Sequence, residues 1–372
     1  MSKTSSDIEL AKSLLKGNEV FKGYRAKPYK VSTGSLNLDI ATDGGLGSGI
    51  HRFCGGNEGG KTCEMLQLMS NFLKSKGERP RKAILINAEY RLTEEKKHNC
   101  DFKFVEQDEI ENWDEGTCLV LDTNSFETAA SVIDSMVKVQ DYQYFISVDS
   151  VDNLIPDGDA DKNFGDSAKV AGGAVIASLL VKRISIPVRK FGHMFVPISQ
   201  KRAKIPQGMG HAPAEQVNST GGNALLHGSD YIFEFMPKFS QSNLSKEAAS
   251  ALDISKNKKL GHLAHLKICK SENETSGYTV TYPIKYLDKG GAVNNEREVL
   301  DFMKLFKVLD SNSGWMSLPK EEDDNLYSFS KEFGYEIEVG MKQNGDKGWI
   351  KFLNENPDAT SMFYNYFLDL LV

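Results

Sequence analysis

Short apolar runs alternate with longer segments of helical spacing along the first two thirds of the chain. Residues 82–88, 119–121 and 144–148 are apolar runs of strand length. Between the last two, residues 126–139 place apolar side chains at the spacing of one helix face. Strands that alternate with helices form parallel sheets covered by helices on both faces. The pattern therefore predicts an α/β fold with a mostly parallel, twisted sheet flanked by helices.

Further along the chain the same reading predicts one more helix and several more strands. Residues 165–190 have an apolar face and predict a helix, and a strand is predicted at 194–198. Three strand-like runs follow at 230–236, 262–269 and 278–286. We expect these three to be antiparallel additions to the sheet.

The two ends of the chain differ from its middle. Residues 5–22 predict a short amphipathic helix, followed by a polar joint that reaches residue 30. The apolar face of this helix packs either on its own domain or on a neighbouring subunit, and the pattern leaves both open. From about residue 290 the chain changes to helices and short strands. We predict an N-terminal helix and linker (1–30), a core (31–289) and a small C-terminal α/β domain (290–372).

A glycine-rich segment stands between a strand-like run at 49–54 and a helical pattern at 63–69. It reads Gly55-Gly56-Asn57-Glu58-Gly59-Gly60-Lys61-Thr62, with the spacing G-x-x-x-x-G-K-T. Glycines let successive backbone N–H groups converge on an anion, and the N-terminus of the next helix adds partial positive charge. Lys61 can then reach the β- and γ-phosphates, and the Thr62 hydroxyl can ligate Mg²⁺. The segment predicts a nucleoside-triphosphate site.

Polar residues follow three of the predicted strands. In parallel sheets ligands bind beyond the carboxyl ends of the strands, so these residues are expected near the phosphate loop. Asp149 fits the acidic residue of a Mg²⁺ shell, the alternative being a helix N-cap. Glu89 fits a group that activates or orients water, or else it is a surface carboxylate. Gln200 either senses the γ-phosphate or simply ends its strand in a polar residue.

Composition excludes several classes of protein. The chain is 40% apolar and 26% charged, as in soluble globular proteins. No apolar run approaches the roughly 20 residues that span a bilayer, and residues 1–7 lack the apolar core of a secretory signal. We expect no membrane contact and a cytoplasmic location. The five cysteines are scattered without a C-x-x-C pair, which favours reduced core thiols over a metal site or disulfides.

The charge is unevenly distributed. A net charge of −6 argues against non-specific nucleic-acid binding, yet residues 182–204 carry seven Lys and Arg and no Asp or Glu. Glycine and proline interrupt residues 201–219, which lack apolar periodicity. A loop of this length within a compact domain is commonly functional. The segment indicates either phosphate contacts with nucleic acid or a solvated basic face.

Seven motifs occur in a fixed order between about residues 31 and 235. They are Ser32-Thr33-Gly34-Ser35-Leu36 with Leu38-Asp39-Ile40-Ala41, Gly44-Gly45-Leu46, the phosphate loop, Ala88-Glu89, Val148-Asp149-Ser150-Val151, Gly165-Asp166-Ser167, and Thr220-Gly221-Gly222-Asn223-Ala224-Leu225. In this order they resemble the motifs of RecA recombinases, and the ordered set is highly specific. Residues 300–315 are more similar to the UvsX branch of phage recombinases, which suits a phage origin.

This resemblance implies a RecA-like P-loop ATPase core with ATP bound between neighbouring protomers of a helical filament. The N-terminal helix would pack on the next protomer, and two loops, at 161–169 and 201–218, would bind DNA. Roles carried over by residue are ATP binding for Gly55, Gly56, Asn57, Glu58, Gly59, Gly60, Lys61, Thr62, Cys63 and Tyr286, Mg²⁺ binding for Thr62 and Asp149, catalysis for Glu89, Lys61, Gln200 and Lys270, and DNA binding for Gly165, Asp166, Ser167, Lys169, Lys201, Arg202, Lys204, Gly221 and Gly222.

The resemblance also implies partners and a cellular setting. Single-stranded and double-stranded DNA and further copies of the chain are the expected partners, with single-strand-binding and mediator proteins as additional candidates. If the chain is phage-encoded, its location is the cytoplasm of the host cell.

Two positions depart from the RecA pattern. Thr93 stands where RecA has an acidic residue near adenine, so the contacts to the base are not carried over. Two positions after Lys270, RecA has a second lysine that reaches the neighbour's ATP, and this chain has Glu272. Stabilisation of the transition state across the interface then rests on Lys270 alone or on another cation.

Three functions are compatible with these features. The first is a DNA-dependent ATPase that performs homologous pairing and strand exchange in recombination and repair. The second is another RecA-fold ATPase, such as a ring-forming motor or a nucleotide-sensing regulator. The third is a structural filament protein that binds DNA with little hydrolysis, which Glu272 makes conceivable. We expect Lys61→Ala to abolish ATP-dependent filaments and Glu89→Gln to bind ATP without hydrolysing it.

Overall fold

The computed structural model describes residues 25–160, 172–200, 222–238, 243–245, 259–285, 292–321 and 325–372. Several predictions fall outside these residues: the helix at 5–22 and both DNA loops. The site residues outside them are Gly165, Asp166, Ser167, Lys169, Lys201, Arg202, Lys204, Gly221 and Tyr286.

The described residues form thirteen strands. They are β1 (Gly49–Gly55), β2 (Arg81–Ile86), β3 (Lys103–Glu106), β4 (Thr117–Leu121), β5 (Gln143–Val148), β6 (Met194–Gln200), β7 (Tyr231–Phe235), β8 (Asn243–Ser245), β9 (Lys259–Lys270), β10 (Thr279–Lys285), β11 (Asp310–Asn312), β12 (Trp315–Ser317) and β13 (Lys342–Asn344).

Eleven α-helices connect or cover these strands in the described part of the chain. They are α1 (Leu36–Ala41), α2 (Lys61–Lys74), α3 (Glu94–Asn99), α4 (Phe126–Met136), α5 (Asp157–Ala160), α6 (Gly172–Lys190), α7 (Gly222–Gly228), α8 (Asn295–Leu305), α9 (Asn325–Phe333), α10 (Gly345–Glu355) and α11 (Pro357–Leu371), with short 3₁₀ turns at Gln107–Asn112 and Val151–Asn153. No helix of the described chain combines the length and apolar character needed to span a membrane.

Ten of the strands form one sheet in the order β10-β9-β7-β1-β6-β5-β2-β4-β3, with β8 paired to β9. The strands from β7 to β3 are mutually parallel, while β8, β9 and β10 are antiparallel additions. The predicted α/β fold with a mostly parallel sheet is therefore confirmed. The prediction that the run at 230–236 is antiparallel was wrong, because β7 pairs with β1 in parallel register, His51 opposite Tyr231. An apolar run in the sequence predicts a strand, but it does not show whether that strand runs parallel or antiparallel to its neighbours.

Burial explains why the central strands could be recognised as apolar runs in the sequence. Every residue of β1, β2 and β5 is buried, as expected for parallel strands covered on both faces. Helices α2 and α6 lie on opposite sides of the sheet, and each contributes to a separate apolar cluster. The first contains Met65, Leu68 and Phe72 of α2. The second contains Ile184 and Val188 of α6.

The C-terminal part of the chain has its own small antiparallel sheet, β11-β12-β13, covered by helices. Its apolar cluster includes Trp349, Phe363 and Val299, and it also takes in Leu36 of α1. The described C-terminal residues therefore pack directly on the segment that leads into the phosphate loop.

Candidate nucleotide site

The carboxyl ends of four neighbouring strands meet where the phosphate loop begins. Strands β2, β5, β6 and β1 are adjacent and parallel, so the residues that follow them share one edge of the sheet. A cavity of about 620 Å³ opens at this edge. It is lined by Asn57, Glu58, Gly59, Gly60, Lys61, Thr62, Cys63, Glu89, Arg91, Lys96, Asp149, Ser150, Ile198, Gln200, Lys238 and His262.

The backbone of the phosphate loop requires glycine at two positions. Gly55 has φ of 137°, and a Cβ there would lie 2.0 Å from the carbonyl oxygen of Phe235. Gly60 has φ of 107°, and a Cβ there would lie 2.6 Å from Cδ1 of Ile284. The loop thus fits tightly against β7 and β10 while its other side faces the cavity. Helix α2 begins at Lys61, so the last two residues of the motif form its first turn.

The side chain of Lys61 is bound by the backbone of the phosphate loop. Its ammonium group donates to the carbonyl oxygens of Gly55 and Gly56, at 3.2 and 2.6 Å. Burial lowers the pKa of Lys61, and the neighbouring carboxylate of Asp149 opposes that shift. A half-buried cation whose hydrogen bonds go to neutral carbonyls is well placed to accept an anionic ligand.

Thr62 and Asp149 form a pair of oxygen ligands on one side of the cavity. The Thr62 hydroxyl donates to Oδ2 of Asp149 at 2.8 Å. Burial raises the pKa of Asp149, the hydrogen bond from Thr62 lowers it, and the charge of Glu89 raises it further. An added divalent cation would relieve this burial of negative charge, and a hydroxyl with a carboxylate is a ligand set that Mg²⁺ prefers. Asp149 is not a helix N-cap, since Ser150 holds that position before the turn Val151–Asn153.

Glu89 is a buried carboxylate with three side-chain partners. Its Oε1 accepts hydrogen bonds from Ser150 Oγ at 2.6 Å and from Gln200 Nε2 at 3.1 Å. Its Oε2 lies 3.0 Å from a guanidinium nitrogen of Arg91. The side chain is 9% exposed, so the alternative of a surface carboxylate is excluded. Gln200 contacts Glu89 rather than merely ending β6.

Three cations and one imidazole ring that the sequence analysis did not include also line the cavity. They are Arg91, Lys96, Lys238 and His262. Burial lowers the pKa of His262 to about 4, and the charge of Lys238 lowers it too, so the imidazole is neutral at physiological pH. Arg91 could have been suspected from its closeness to Glu89 in sequence. Lys238 and His262 come to the cavity only through the pairing of β7 with β9 and carry no local signal.

Other predicted residues lie away from the cavity. Lys270 donates to the carbonyl oxygens of Leu226 and His227, at 3.4 and 2.9 Å, near the end of α7. Gly222 is the first residue of α7. Thr93 caps α3 by accepting from the backbone N–H of Lys96.

Glu272 is partly buried near Asp230. Burial raises the pKa of Glu272, and so does the neighbouring negative charge of Asp230, while Arg189 acts in the opposite direction. Arg189 in turn donates to Asp230 through Nε at 3.0 Å. Glu272 thus belongs to a local charge cluster in its own chain.

Comparison with known proteins gives one consistent result. The family model for the RecA N-terminal domain matches residues 11–265. Protein RecA of Rippkaea orientalis is 24% identical over 336 residues, covering 90% of this chain and 81% of that protein. Protein RecA of Thermosynechococcus vestitus is 25% identical over 332 residues, covering 85% and 81%. Protein RecA of Trichodesmium erythraeum is 30% identical over 202 residues, covering 54% and 50%. These relatives are bacterial, so they lend no support to a phage origin or to the UvsX likeness of residues 300–315.

Proposed function

Because the chain belongs to the RecA family, as its motifs predicted, we propose that it is a DNA-dependent ATPase that forms filaments on single-stranded DNA. In this function it pairs homologous strands and exchanges them during recombination and repair. The observation that carries the proposal is the cavity in which a phosphate loop, the Thr62–Asp149 pair and the Glu89–Gln200 pair converge. The relatives support the family, and the residues that line the cavity of this chain support the activity.

The phosphate loop, the Thr62–Asp149 pair and Glu89 each have a role in phosphoryl transfer to water. The loop amides and Lys61 bind the phosphates, and Thr62 with Asp149 would hold Mg²⁺, which would supply charge neutralisation for the phosphates. Glu89 accepts a hydrogen bond from the attacking water and orients it toward the γ-phosphate. The hydrogen bonds from Ser150 and Gln200 fix the Glu89 carboxylate so that only one of its oxygens faces the reaction.

Gln200 offers a route by which DNA can control hydrolysis. Its side chain contacts Glu89, and the next residue begins the segment 201–218 that we propose as the second DNA loop. A shift of this segment on DNA would move Gln200 and therefore Glu89. We assign DNA contacts to Gly165, Asp166, Ser167, Lys169, Lys201, Arg202, Lys204, Gly221 and Gly222. Lys270, which does not line the cavity of its own chain, is assigned to the ATP of a neighbouring protomer.

The first test compares ATP hydrolysis with and without single-stranded DNA. Strong stimulation by DNA, together with filaments in electron micrographs, is the expected result. A rate of hydrolysis that is the same with and without DNA would instead indicate a ring-forming or nucleotide-sensing ATPase. DNA-bound filaments without turnover would indicate a structural protein, a function that the replacement of a cation by Glu272 favours.

Two substitutions separate binding from chemistry. Lys61→Ala should abolish ATP binding and ATP-dependent filaments, whereas Glu89→Gln should retain ATP binding and lose about 10²–10⁴-fold in kcat. Lys74→Ala is the matched control, because Lys74 lies on the same helix as Lys61 and pairs with Asp101 at the surface. Unchanged turnover in Glu89→Gln would remove Glu89 from the reaction.

A further inference from the structure

Arg91 occupies the one oxygen of Glu89 that the other partners leave open. Ser150 and Gln200 both donate to Oε1, and the guanidinium of Arg91 lies 3.0 Å from Oε2. The two side chains differ sharply in exposure, at 74% for Arg91 and 9% for Glu89. A buried carboxylate is therefore paired with a cation that reaches it from the open side of the nucleotide cavity.

The backbone beneath Arg91 is anchored, so its side chain is the part that can move. The Asn87 side chain accepts from the backbone N–H of Arg91 at 3.2 Å and donates to Asp122 at 2.8 Å. Tyr90 takes the left-handed conformation, with φ of 52°, and its N–H donates to the carbonyl of Asn87. This turn fixes where the Arg91 side chain starts, while most of its length remains in solvent.

The pairing conflicts with the role proposed for Glu89. A carboxylate that orients an attacking water must offer that water a lone pair, and a guanidinium on Oε2 competes for it. Arginine forms strong hydrogen bonds with carboxylates and with phosphates, because its planar fork matches both. A γ-phosphate in the cavity is thus a rival partner of higher charge for the same guanidinium.

We propose that Arg91 exchanges partners when a nucleoside triphosphate binds. When a nucleoside triphosphate binds, Arg91 moves from Glu89 to the γ-phosphate, which leaves Oε2 of Glu89 to the attacking water. The inference rests on the proposed function, since it concerns the same cavity and the same reaction. Nucleoside diphosphate lacks the third phosphate, so Arg91 stays on Glu89 and the site discriminates between the two nucleotides.

The other cations of the cavity have partners other than Glu89. Lys61 donates to loop carbonyls, and Lys96 donates to the backbone carbonyl of Arg91 at 3.1 Å. Lys238 lies 3.7 Å from Glu58 of the phosphate loop. Among the described residues of the cavity, Arg91 is the cation whose partner is the proposed water-orienting carboxylate itself.

The test measures nucleotide affinity of the full chain without DNA, by titration with a non-hydrolysable ATP analogue and with ADP. Arg91→Ala should weaken binding of the ATP analogue by about tenfold or more and leave ADP binding within about twofold. Arg297→Ala is the control, because Arg297 is an exposed arginine on α8 that pairs with Asp301. It should change neither affinity.

A double-mutant cycle tests the exchange itself. Glu89→Gln frees Arg91 in advance, so it should tighten binding of the ATP analogue, and this gain should disappear in the Arg91→Ala background. A gain of equal size in both backgrounds would overturn the inference, because it would reflect only the removal of a negative charge. An unchanged ratio of ATP-analogue to ADP affinity in Arg91→Ala would also overturn it. If the wild-type chain binds neither nucleotide, the proposed function is wrong, and so is the inference that rests on it.

Discussion

Glu64 places a carboxyl group inside the apolar core, two residues after Thr62. Its side chain is fully buried, and its Oε2 accepts a hydrogen bond from the hydroxyl of Tyr282 at 2.8 Å. Its Oε1 has no hydrogen-bond partner among the described residues. Burial raises the pKa of Glu64 to about 8, because a desolvated carboxylate with a single donor is unfavourable. At neutral pH this residue is therefore protonated in the folded chain.

Replacement of Glu64 by glutamine should remove a pH dependence of stability. In the folded chain the pKa of Glu64 is about 8 against an ordinary value of 4.5, so the folded state binds more protons between these values. Its contribution to stability is complete below pH 4.5 and is lost as pH rises through 8. Urea unfolding at pH 6 and pH 8.5 should show wild type losing stability relative to Glu64→Gln, at up to about 1.4 kcal/mol per pH unit. An equal difference between the two proteins at both pH values would contradict this.

At the scale of elements, helix α1 depends on a side chain from a distant helix. The carboxylate of Glu298, on α8, accepts from the backbone N–H of Leu36 at 3.0 Å, from Ser35 Oγ at 2.8 Å and from Asn37 Nδ2 at 2.9 Å. The first backbone N–H groups of a helix lack partners within the helix, and a negative charge is favourable there. One carboxylate thus caps α1 and ties the C-terminal part of the chain to the segment before the phosphate loop.

Loss of this cap should destabilise the whole chain. Glu298→Ala leaves several buried donors without an acceptor, which should lower the free energy of unfolding by about 3 kcal/mol. Asp301→Ala, at an exposed site on the same helix, should change it by less than about 0.5 kcal/mol. Urea unfolding at pH 8 is the measurement, because burial raises the pKa of Glu298 to about 7 and the carboxylate is charged above that. Equal effects of the two substitutions would show that α1 does not need the cap.

Strands that are buried on both faces could be predicted from the sequence, whereas the mostly exposed strand β3 and helix α3 could not. Strands β2 and β5 each contain an apolar run, at 83–86 and 144–146, whereas β3 has one buried residue in four and α3 has none. The phosphate loop could be predicted because its chemistry lies in contiguous residues. The cap from Glu298 could not, since it joins positions more than 260 residues apart through packing alone.

At the scale of the whole molecule, the C-terminal part and the segment that leads into the sheet are joined by buried contacts between their side chains. The Tyr364 hydroxyl donates to Oδ2 of Asp39 at 2.6 Å and lies 3.1 Å from the hydroxyl of Ser32. Asp39 and Tyr364 are buried, and Leu36 belongs to the C-terminal apolar cluster. Opening this contact would expose both apolar surface and several buried polar groups, so separate unfolding of the two parts is costly.

The described residues should therefore unfold in one cooperative step, despite the chain's length. Trp349 is buried in the C-terminal part and donates to the carbonyl of Met316, so its fluorescence reports on that part alone once Trp113 and Trp315 are replaced by phenylalanine. Far-ultraviolet circular dichroism of the same variant is dominated by the rest of the molecule. In urea both signals should change at the same midpoint and with the same slope. An earlier Trp349 transition in the parent variant would mean that these contacts do not couple the unfolding of the two parts. Adding Glu298→Ala and Tyr364→Phe should separate the two transitions, because these substitutions remove hydrogen bonds that join the two parts.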